Sequence, residues 1–446
     1  MRASAGRIEG LSLDGMRHIV DVLGDPQDAY PVIHLTGTNG KGSTARMIST
    51  LLIAHALSVG TYTSPHLEHI TERIAWNLQP IDVEEFARVI GELAALEPLI
   101  LEEIAADGGP PDARASHFEL LTAAAFSYFA QVAVDVAVVE VGLLGRWDAT
   151  NVAEAKVAVV TNVGKDHTDA TGDWRRRIAE EKAGIITPGG ELVLGETDPE
   201  LLPVFAAEGA AQTWVREEDF GVETDEIALG GHLVDIRTPL ARYEAVFLPV
   251  HGAHQTENAA CAIAAVEMLF GRELNAELVR EAFASLRLPG RFEVLHRGPL
   301  LVLDSAHNPD GARTTASTLA EEFDIPGRRR WVLGMLTGRD VDEMVEGYGI
   351  GPGDQVVACN PDWPRAMPAK DVADAARARG ADVEVIPSPT EALNFAWRSA
   401  TAAGEGDLVM VTGSHYTVGE ARTQCRRLDI LAPEGTPTRN RSVYSE

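Results

Sequence analysis

A glycine-rich segment with one lysine, T-G-T-N-G-K-G-S-T at 36–44, is the strongest candidate for chemistry in this sequence. It lies between an apolar run at 30–35 that predicts a buried strand and apolar residues at helical spacing from Met47 to Leu52. Glycines let several backbone N–H groups point inward, the helix start adds positive potential, and a lysine adds a mobile charge. The segment therefore predicts a loop that binds nucleotide phosphates. Its predicted contacts are Thr38, Asn39, Gly40, Lys41, Gly42, Ser43 and Thr44.

The segment differs from the general phosphate-binding pattern G-x-x-x-x-G-K-[ST]. Only two residues separate Gly37 from Gly40, and Gly42 stands where a hydroxyl residue is expected. Any hydroxyl directed at a metal ion must then come from Ser43 or Thr44. The alternative is a glycine-rich turn with an incidental lysine, although lysine is scarce in this chain, with 5 lysines against 33 arginines.

Two further polar residues stand at the ends of valine-rich runs. Glu140 lies near the end of 132–141, and His167 follows 156–163. Such nearly continuous apolar runs are typical of parallel strands covered on both faces, and open α/β sheets bind ligands at the carboxyl ends of their strands. The alternatives are a carboxylate that caps a helix or pairs with arginine, and a histidine with a structural hydrogen bond.

Strand-length apolar runs alternate with helical patterns along most of the chain, which predicts an α/β fold with parallel sheets. The segment 214–250 has short alternating stretches and predicts a small antiparallel insertion. Leu-Pro-Gly at 288–290 interrupts every pattern. We therefore predict a P-loop ATPase-type domain at 1–288 that carries the phosphate-binding loop, and a smaller Rossmann-like α/β domain at 289–446. The strands predicted in the second domain are 300–303, 331–333, 355–358, 383–386 and 408–411.

The composition limits the classes of partner. The 446 residues include 38 Lys and Arg against 67 Asp and Glu, giving a formal charge of −29, which opposes attraction to nucleic acid or anionic lipid. No apolar run reaches the roughly 18 residues of a membrane-spanning helix. Cys261, Cys359 and Cys425 are widely spaced, as expected of reduced thiols. We expect a cytoplasmic monomer with small-molecule substrates and no nucleic-acid or membrane partner.

A series of short segments resembles the folylpolyglutamate synthase/dihydrofolate synthase family of the Mur ligase superfamily in order and spacing. The resemblance spans about residues 8 to 425. The segments are 36–44, Y-T-S-P-H-L (62–67), E-R-I (72–74), F-E-L-L-T (118–122), E-V-G (140–142), G-R-W-D-A-T-N (145–151), D-H-T (166–168), E-K-A-G-I-I (181–186), H-Q-T-E-N-A (254–259), P-G-R-F-E (289–293), D-S-A-H-N-P (304–309) and V-T-G-S (411–414).

The resemblance implies an ATP-dependent amide ligase that adds L-glutamate to dihydropteroate or to the glutamate tail of a folate through an acyl phosphate. It implies that the domain at 1–288 binds ATP together with two Mg²⁺ ions, and that Ser64, Glu140 and His167 are metal ligands. It also implies that Lys182 is carbamylated and helps to bind the second Mg²⁺. The default for a lysine in E-E-K-A-G is instead a solvated charge or a salt bridge to Glu180 or Glu181.

The same resemblance implies the remaining site residues and places ATP between the two domains. Asn258 is expected to contact ATP, Arg291 its phosphates and Asp304 its ribose, while His307 lies near the reacting phosphate and amine. The expected substrate contacts are Phe118, Glu119, Asp148 and Ser414. The alternatives are a turn-stabilising Arg291, a surface Asn258 and an Asp304 that caps the helix after Asn308.

Two positions depart from the family pattern. Leu144 stands where the family usually has glycine, and Ser305 replaces the common glycine of D-G-A-H-N-P. The open alternatives are a folylpolyglutamate synthase without dihydropteroate activity, another Mur-like ligase with a different acyl substrate, and a P-loop nucleotide-binding regulator. A second α/β domain and the acidic, histidine and lysine positions count against the regulator.

Overall fold

The computed structural model describes residues 12–106, 115–165 and 172–431. The chain divides into two compact units, Met1–Leu288 and Pro289–Glu446. Each unit is an α/β structure with its own apolar core, so the predicted fold class is confirmed.

The first unit is built on an eight-stranded sheet in the order β4-β3-β2-β5-β1-β6-β7-β8. The six strands from β2 to β8 in that order pair in parallel, and β3 and β4 add an antiparallel edge. The strands are β1 (Val32–Thr36), β2 (Val59–Tyr62), β3 (Ile74–Trp76), β4 (Gln79–Pro80), β5 (Val136–Glu140), β6 (Ala155–Val160), β7 (Glu191–Leu194) and β8 (Gln212–Val215).

Helices cover this sheet and position its loops. β1 leads through the glycine-rich segment into α2, whose apolar residues are buried against the sheet, as the sequence predicts. The helices of the unit are α1 (Asp14–Val22), α2 (Lys41–Ala54), α3 (Val83–Ala106), α4 (His117–Gln131), α5 (Trp174–Ala183), α6 (Leu202–Ala206), α7 (Ala253–Phe270) and α8 (Ala276–Ala284).

The antiparallel insertion is present but begins later than predicted. It consists of β9 (Gly221–Ala228), β10 (Gly231–Arg237) and β11 (Arg242–Leu248). Trp214 belongs instead to β8, because it pairs in parallel with Val193 and extends the main sheet.

The second unit has a six-stranded sheet in the order β12-β13-β17-β14-β15-β16, in which only β12 is antiparallel. The five predicted strands are found, and β12 at the edge was not predicted. The strands are β12 (Glu293–Arg297), β13 (Leu300–Leu303), β14 (Arg329–Leu333), β15 (Gln355–Ala358), β16 (Asp382–Val385) and β17 (Leu408–Thr412). The helices are α9 (Pro309–Glu322), α10 (Val341–Gly347), α11 (Ala369–Ala378), α12 (Pro389–Ala403) and α13 (His415–Arg427).

The three cysteines, Cys261, Cys359 and Cys425, are buried free thiols. Across 12–106, 115–165 and 172–431, no helix is both long enough and apolar enough to cross a membrane.

Candidate active site

The glycine-rich loop enters α2 through a left-handed glycine and binds its own lysine. Gly40, the residue before α2, has φ +84°. This left-handed conformation is one that residues with a side chain rarely adopt. The ammonium of Lys41 donates hydrogen bonds to the carbonyl oxygens of Gly37 and Thr38, at 2.8 and 3.3 Å. The side chain of Asn162, after β6, accepts from the backbone N–H of Asn39 at 3.0 Å. Lys41 is therefore held inside its own loop.

Asn258 lies directly against this loop, as its predicted nucleotide contact requires. It stands on the second turn of α7, and a Cβ atom built at Gly40 would lie only 2.5 Å from its Oδ1. Its amide donates to Gln255 Oε1 at 3.1 Å. Asn258 is buried, so the alternative of a surface asparagine is wrong.

The first turn of α2 carries a hydroxyl without a partner. Thr44 Oγ1 is buried and makes no hydrogen bond within the described residues. Ser43 is buried beside it. A buried polar atom without a partner is costly, so Thr44 is the better candidate for a hydroxyl directed at a bound group.

Two of the three predicted metal ligands lie together. Ser64 follows β2 and Glu140 ends β5, and these strands are parallel neighbours in the sheet. The backbone N–H of Ser64 donates to Glu140 Oε2 at 3.0 Å, and Glu140 is 4% exposed. His167, the third predicted ligand, lies outside the described residues.

Lys182 is buried in the last turn of α5, with 3% of its surface exposed. The alternative of a solvated lysine is therefore wrong. Glu180 forms an ion pair with Arg176 at 3.2 Å, and burial raises the pKa of Glu181. Gly145 packs against the Lys182 backbone, because a Cβ atom there would lie 3.2 Å from Lys182 Cα.

A chain of buried hydrogen bonds holds the loop after β5. Asp148 accepts from the backbone N–H of Leu143 at 2.8 Å and from the hydroxyl of Thr150 at 2.5 Å. His34 Nε2 lies 2.9 Å from Thr150 Oγ1. Burial lowers the pKa of His34 to about 3, so its ring is neutral, and burial raises the pKa of Asp148. With Thr150 donating to Asp148, His34 Nε2–H must donate to Thr150. Asp148 thus has a structural role, and its contact with substrate stays a prediction.

The same loop contains Leu144, which stands where the family usually has glycine. Leu144 has φ +59°, the left-handed region that glycine adopts most easily. The hydroxyl of Thr36, at the end of β1, donates to the Leu144 carbonyl. The chain keeps the backbone conformation of a glycine position while carrying leucine.

Phe118 and Glu119 lie on the first turn of α4. The Phe118 ring packs against Gly142, where an added Cβ atom would lie 2.4 Å from the ring, and its centroid is 6.0 Å from that of Tyr62. Glu119 forms a capping box with Ser116, because its carboxylate accepts from the Ser116 N–H at 2.7 Å. The structure therefore gives Glu119 a capping role, and substrate contacts of both residues stay predictions.

In the second unit, Asp304 follows β13 and receives three protein hydrogen bonds. They come from the backbone N–H groups of Phe292 and Ala306, at 2.8 and 3.1 Å, and from the Thr315 hydroxyl at 2.7 Å. The alternative of Asp304 as a helix cap is wrong, because Asn308 caps α9.

A pair that the sequence did not predict lies beside Asp304. Arg291 Nη2 is 2.9 Å from His415 Nε2, and the His415 ring centroid is 5.2 Å from that of His307. His415 begins α13, and Ser414 caps that helix by accepting from the Thr417 N–H at 3.1 Å. The signal available in the sequence was a histidine directly after V-T-G-S, but its partner is 124 residues away. Ser414 is buried in its cap, and its substrate contact stays a prediction.

Ser305, the other departure from the family, is also buried. Its Oγ makes no hydrogen bond within the described part of the chain. Its carbonyl oxygen lies 3.0 Å from His307 Nδ1. The serine therefore adds a buried hydroxyl two residues before His307.

The two α/β units match two domains of the Mur ligases, and the chain is a ligase of this type. The family model of the Mur ligase middle domain matches residues 35–266, and that of the Mur ligase glutamate ligase domain matches 290–415. Within the Mur ligases, the similarity to relatives and solved structures described next shows that the chain belongs to the dihydrofolate synthase/folylpolyglutamate synthase family.

Relatives and solved structures support this assignment. The chain is 40% identical over 441 residues to the dihydrofolate synthase/folylpolyglutamate synthase of Mycobacterium tuberculosis, covering 92% of this chain and 89% of the relative. It is also similar to the M. tuberculosis folylpolyglutamate synthase structure complexed with ADP and AMPPCP, with TM-score 0.87, 38% identity and coverage of 93% and 95%. The Yersinia pestis bifunctional enzyme with Mn, AMPPNP and L-glutamate bound gives TM-score 0.78, 30% identity and coverage of 94% and 95%.

Proposed function

We propose that this protein uses ATP to join L-glutamate to dihydropteroate, to the glutamate tail of folates, or to both, releasing ADP and phosphate. The observation that carries the proposal is the arrangement of one sheet. The Lys41 loop follows β1, Glu140 ends the adjacent β5, and Ser64 follows β2, the next strand along. The glycine-rich loop with its lysine and two residues with oxygen donors thus stand at the carboxyl ends of three consecutive strands.

The chemistry needs activation of a carboxylate, which is a poor electrophile. Transfer of the ATP γ-phosphoryl group to a substrate carboxylate oxygen gives an acyl phosphate and ADP. The amine of L-glutamate then attacks the acyl carbon, loses a proton and expels phosphate, which leaves an amide. Such a transfer depends on positioning and on neutralising charge, which we assign to Lys41, the loop amides and Arg291.

Ser64 and Glu140 fit a magnesium ion, because Mg²⁺ prefers hard oxygen ligands and their position joins a hydroxyl residue to a buried carboxylate. We assign His167 as the third ligand and Thr44 as a further hydroxyl, since its Oγ1 has no protein partner among the described residues. When bound, the ion neutralises charge that develops on the transferred phosphoryl group.

We assign a carbamate to Lys182. The ammonium first loses one proton, and the neutral amine then adds to CO₂ and loses a second proton, so that a cation becomes an anion with two oxygen donors. Burial makes the charged amine costly and so favours the reactive form. The carbamate would supply oxygen ligands to a second Mg²⁺.

The remaining contacts follow from the position of each residue. We assign Asn258 to ATP because its amide lies against Gly40. We also assign Asp304 to the ribose and His307 to the reacting phosphate and amine. Phe118, Glu119, Asp148 and Ser414 are assigned to the other substrates. The buried free thiols suit a cytoplasmic protein, and we propose that it acts as a monomer.

Phosphate release tests the proposal. Purified protein with ATP and Mg²⁺ should release phosphate only when L-glutamate and an acyl substrate are both present, with dihydropteroate and a folate monoglutamate tried separately. Lys41→Ala should lower the rate by about 100-fold or more. Lys370→Ala, a replacement of an exposed lysine on α11, should not.

The acyl substrate decides between the remaining alternatives. Turnover with the folate alone would identify a folylpolyglutamate synthase without dihydropteroate activity. Turnover with neither substrate would point to another Mur-like ligase, and ATP hydrolysis independent of both would contradict the proposal.

A further inference from the structure

Arg291 and His415 form a pair whose direction is fixed by their chemistry. A guanidinium has only donors and stays protonated, so Arg291 must donate to His415 Nε2 across the 2.9 Å contact. The Nε2 atom is therefore an unprotonated acceptor, and the proton of the neutral ring is on Nδ1. Among the described residues this contact uses one of the five guanidinium N–H donors, which leaves four for a ligand.

The backbone on both sides of this pair is held in place. Phe292 N–H donates to Asp304, and Ser305 N–H donates to the Gly290 carbonyl at 2.9 Å. Arg422 on α13 binds Glu293 at 2.9 Å. The segment that carries Arg291 is thus tied both to the loop after β13 and to α13.

His415 is suited to hold a side chain in one position. It is 8% exposed, begins a helix capped by Ser414, and packs against the His307 ring. An arginine side chain without a partner loses much rotamer freedom when it binds a phosphate. A partner that fixes the guanidinium beforehand reduces that loss.

We infer that His415 is a positioning residue for the reaction: it holds the Arg291 guanidinium ready for the nucleotide phosphates. This inference rests on the role proposed for Arg291 and goes beyond it. His415 itself does not contact the reacting atoms in this account. Its effect on catalysis passes through Arg291.

A double-mutant cycle tests the inference in the full-length protein. His415→Phe keeps an aromatic ring against His307 but removes the acceptor, so kcat/KM for ATP should fall about ten-fold. His415→Gln should retain most activity, because its amide oxygen can accept from the guanidinium. In an Arg291→Ala background, His415→Phe should have less than a roughly two-fold further effect. His296→Phe, at an exposed histidine of β12, is the matched control.

The outcomes separate the two claims. Two outcomes refute the positioning role and leave the proposed role of Arg291 standing. In the first, Arg291→Ala lowers kcat/KM for ATP but His415→Phe does not. In the second, Arg291→Ala also lowers kcat/KM, but His415→Phe has the same effect with and without Arg291. If Arg291→Ala retains full activity, both fail. If His415→Phe does not fold, the cycle is run with His415→Leu, and the same comparison decides.

Discussion

At the scale of single residues, Glu140 combines a buried carboxylate with a position at the end of a strand. Burial of a carboxylate is costly without donors or a cation, and Ser64 N–H supplies one donor at 3.0 Å. A residue retained for packing alone would not need to be acidic. Its chemistry is therefore testable separately from its contribution to the fold.

Replacement of Glu140 should alter the metal requirement. Glu140→Gln keeps the shape and can still accept from Ser64, but it removes a negative oxygen donor. The Mg²⁺ concentration for half-maximal phosphate release should rise about ten-fold or more, while the thermal midpoint stays within a few degrees. Glu154→Gln, at an exposed glutamate, is the control. An unchanged Mg²⁺ titration would assign Glu140 a structural role.

Lys182 allows an equally direct experiment. Lys182→Arg keeps a positive charge but cannot form a carbamate, so the rate should fall by about 100-fold or more. Lys156→Arg on β6 changes an exposed lysine and should have little effect. Removing CO₂ and bicarbonate should slow the wild type reversibly, and their return should restore it. Full activity of Lys182→Arg would refute the carbamate.

At the scale of elements, the loop between β5 and β6 contacts several of the elements that carry candidate site residues. It is bound to β1 through Thr36 and His34, and it packs on the end of α5 at Gly145. Changes in its backbone should therefore alter the positions of the glycine-rich loop and of Lys182. Leu144, with its left-handed backbone, is where such a change is easiest to make.

Leu144→Gly should be better tolerated than the same change at its neighbour. Loss of the leucine side chain lowers the free energy of unfolding. Because glycine adopts the left-handed conformation without strain, relief of that strain should offset about 1 kcal/mol of this loss. Leu143 is also half-buried but lacks a positive φ, so Leu143→Gly should lower the free energy of unfolding by about 1 kcal/mol more. Urea denaturation of the two variants measures the difference. Equal losses would show that Leu144 is not strained.

The elements also show what could be predicted from the sequence. The valine-rich runs of β5 and β6 predict buried strands because both faces of each strand are covered, so no polar residue interrupts them. The end of β8, from Trp214, is predicted in the insertion because Trp214 and its neighbours alternate in polarity, as strands near a sheet edge do. Glu140 and Ser64 were placed by their motifs, whereas the contact between Arg291 and His415 depends on tertiary packing and has no local pattern.

At the scale of the whole molecule, stability depends on groups that titrate far from their ordinary range. His34 in β1 is the clearest case, because burial lowers its pKa to about 3. The unfolded chain binds a proton at this residue near pH 6.5, and the folded chain does not until about pH 3. The free energy of unfolding therefore decreases as pH falls through that interval.

Removing the His34 titration should flatten this pH dependence. Between pH 7.5 and pH 5, His34 should contribute about 2 kcal/mol to the loss of stability. His34→Gln keeps a donor for Thr150 but cannot take up the proton. The fall in its free energy of unfolding between pH 7.5 and pH 5 should therefore be about 2 kcal/mol smaller than that of the wild type. Urea midpoints at the two pH values give the comparison, with His296→Gln at an exposed histidine as the control variant. Identical slopes for His34→Gln and wild type would contradict the assignment.

The burial of all three cysteines has a practical consequence. Burial raises the pKa of Cys261 to about 12, and Cys359 and Cys425 are buried as well, so none presents a reactive thiolate to a maleimide reagent. A cysteine introduced at an exposed position such as Glu154 or Trp363 could then carry a fluorophore without removal of the native thiols. A dye at each of these two positions would allow energy transfer to be followed between the two units of one working molecule during turnover.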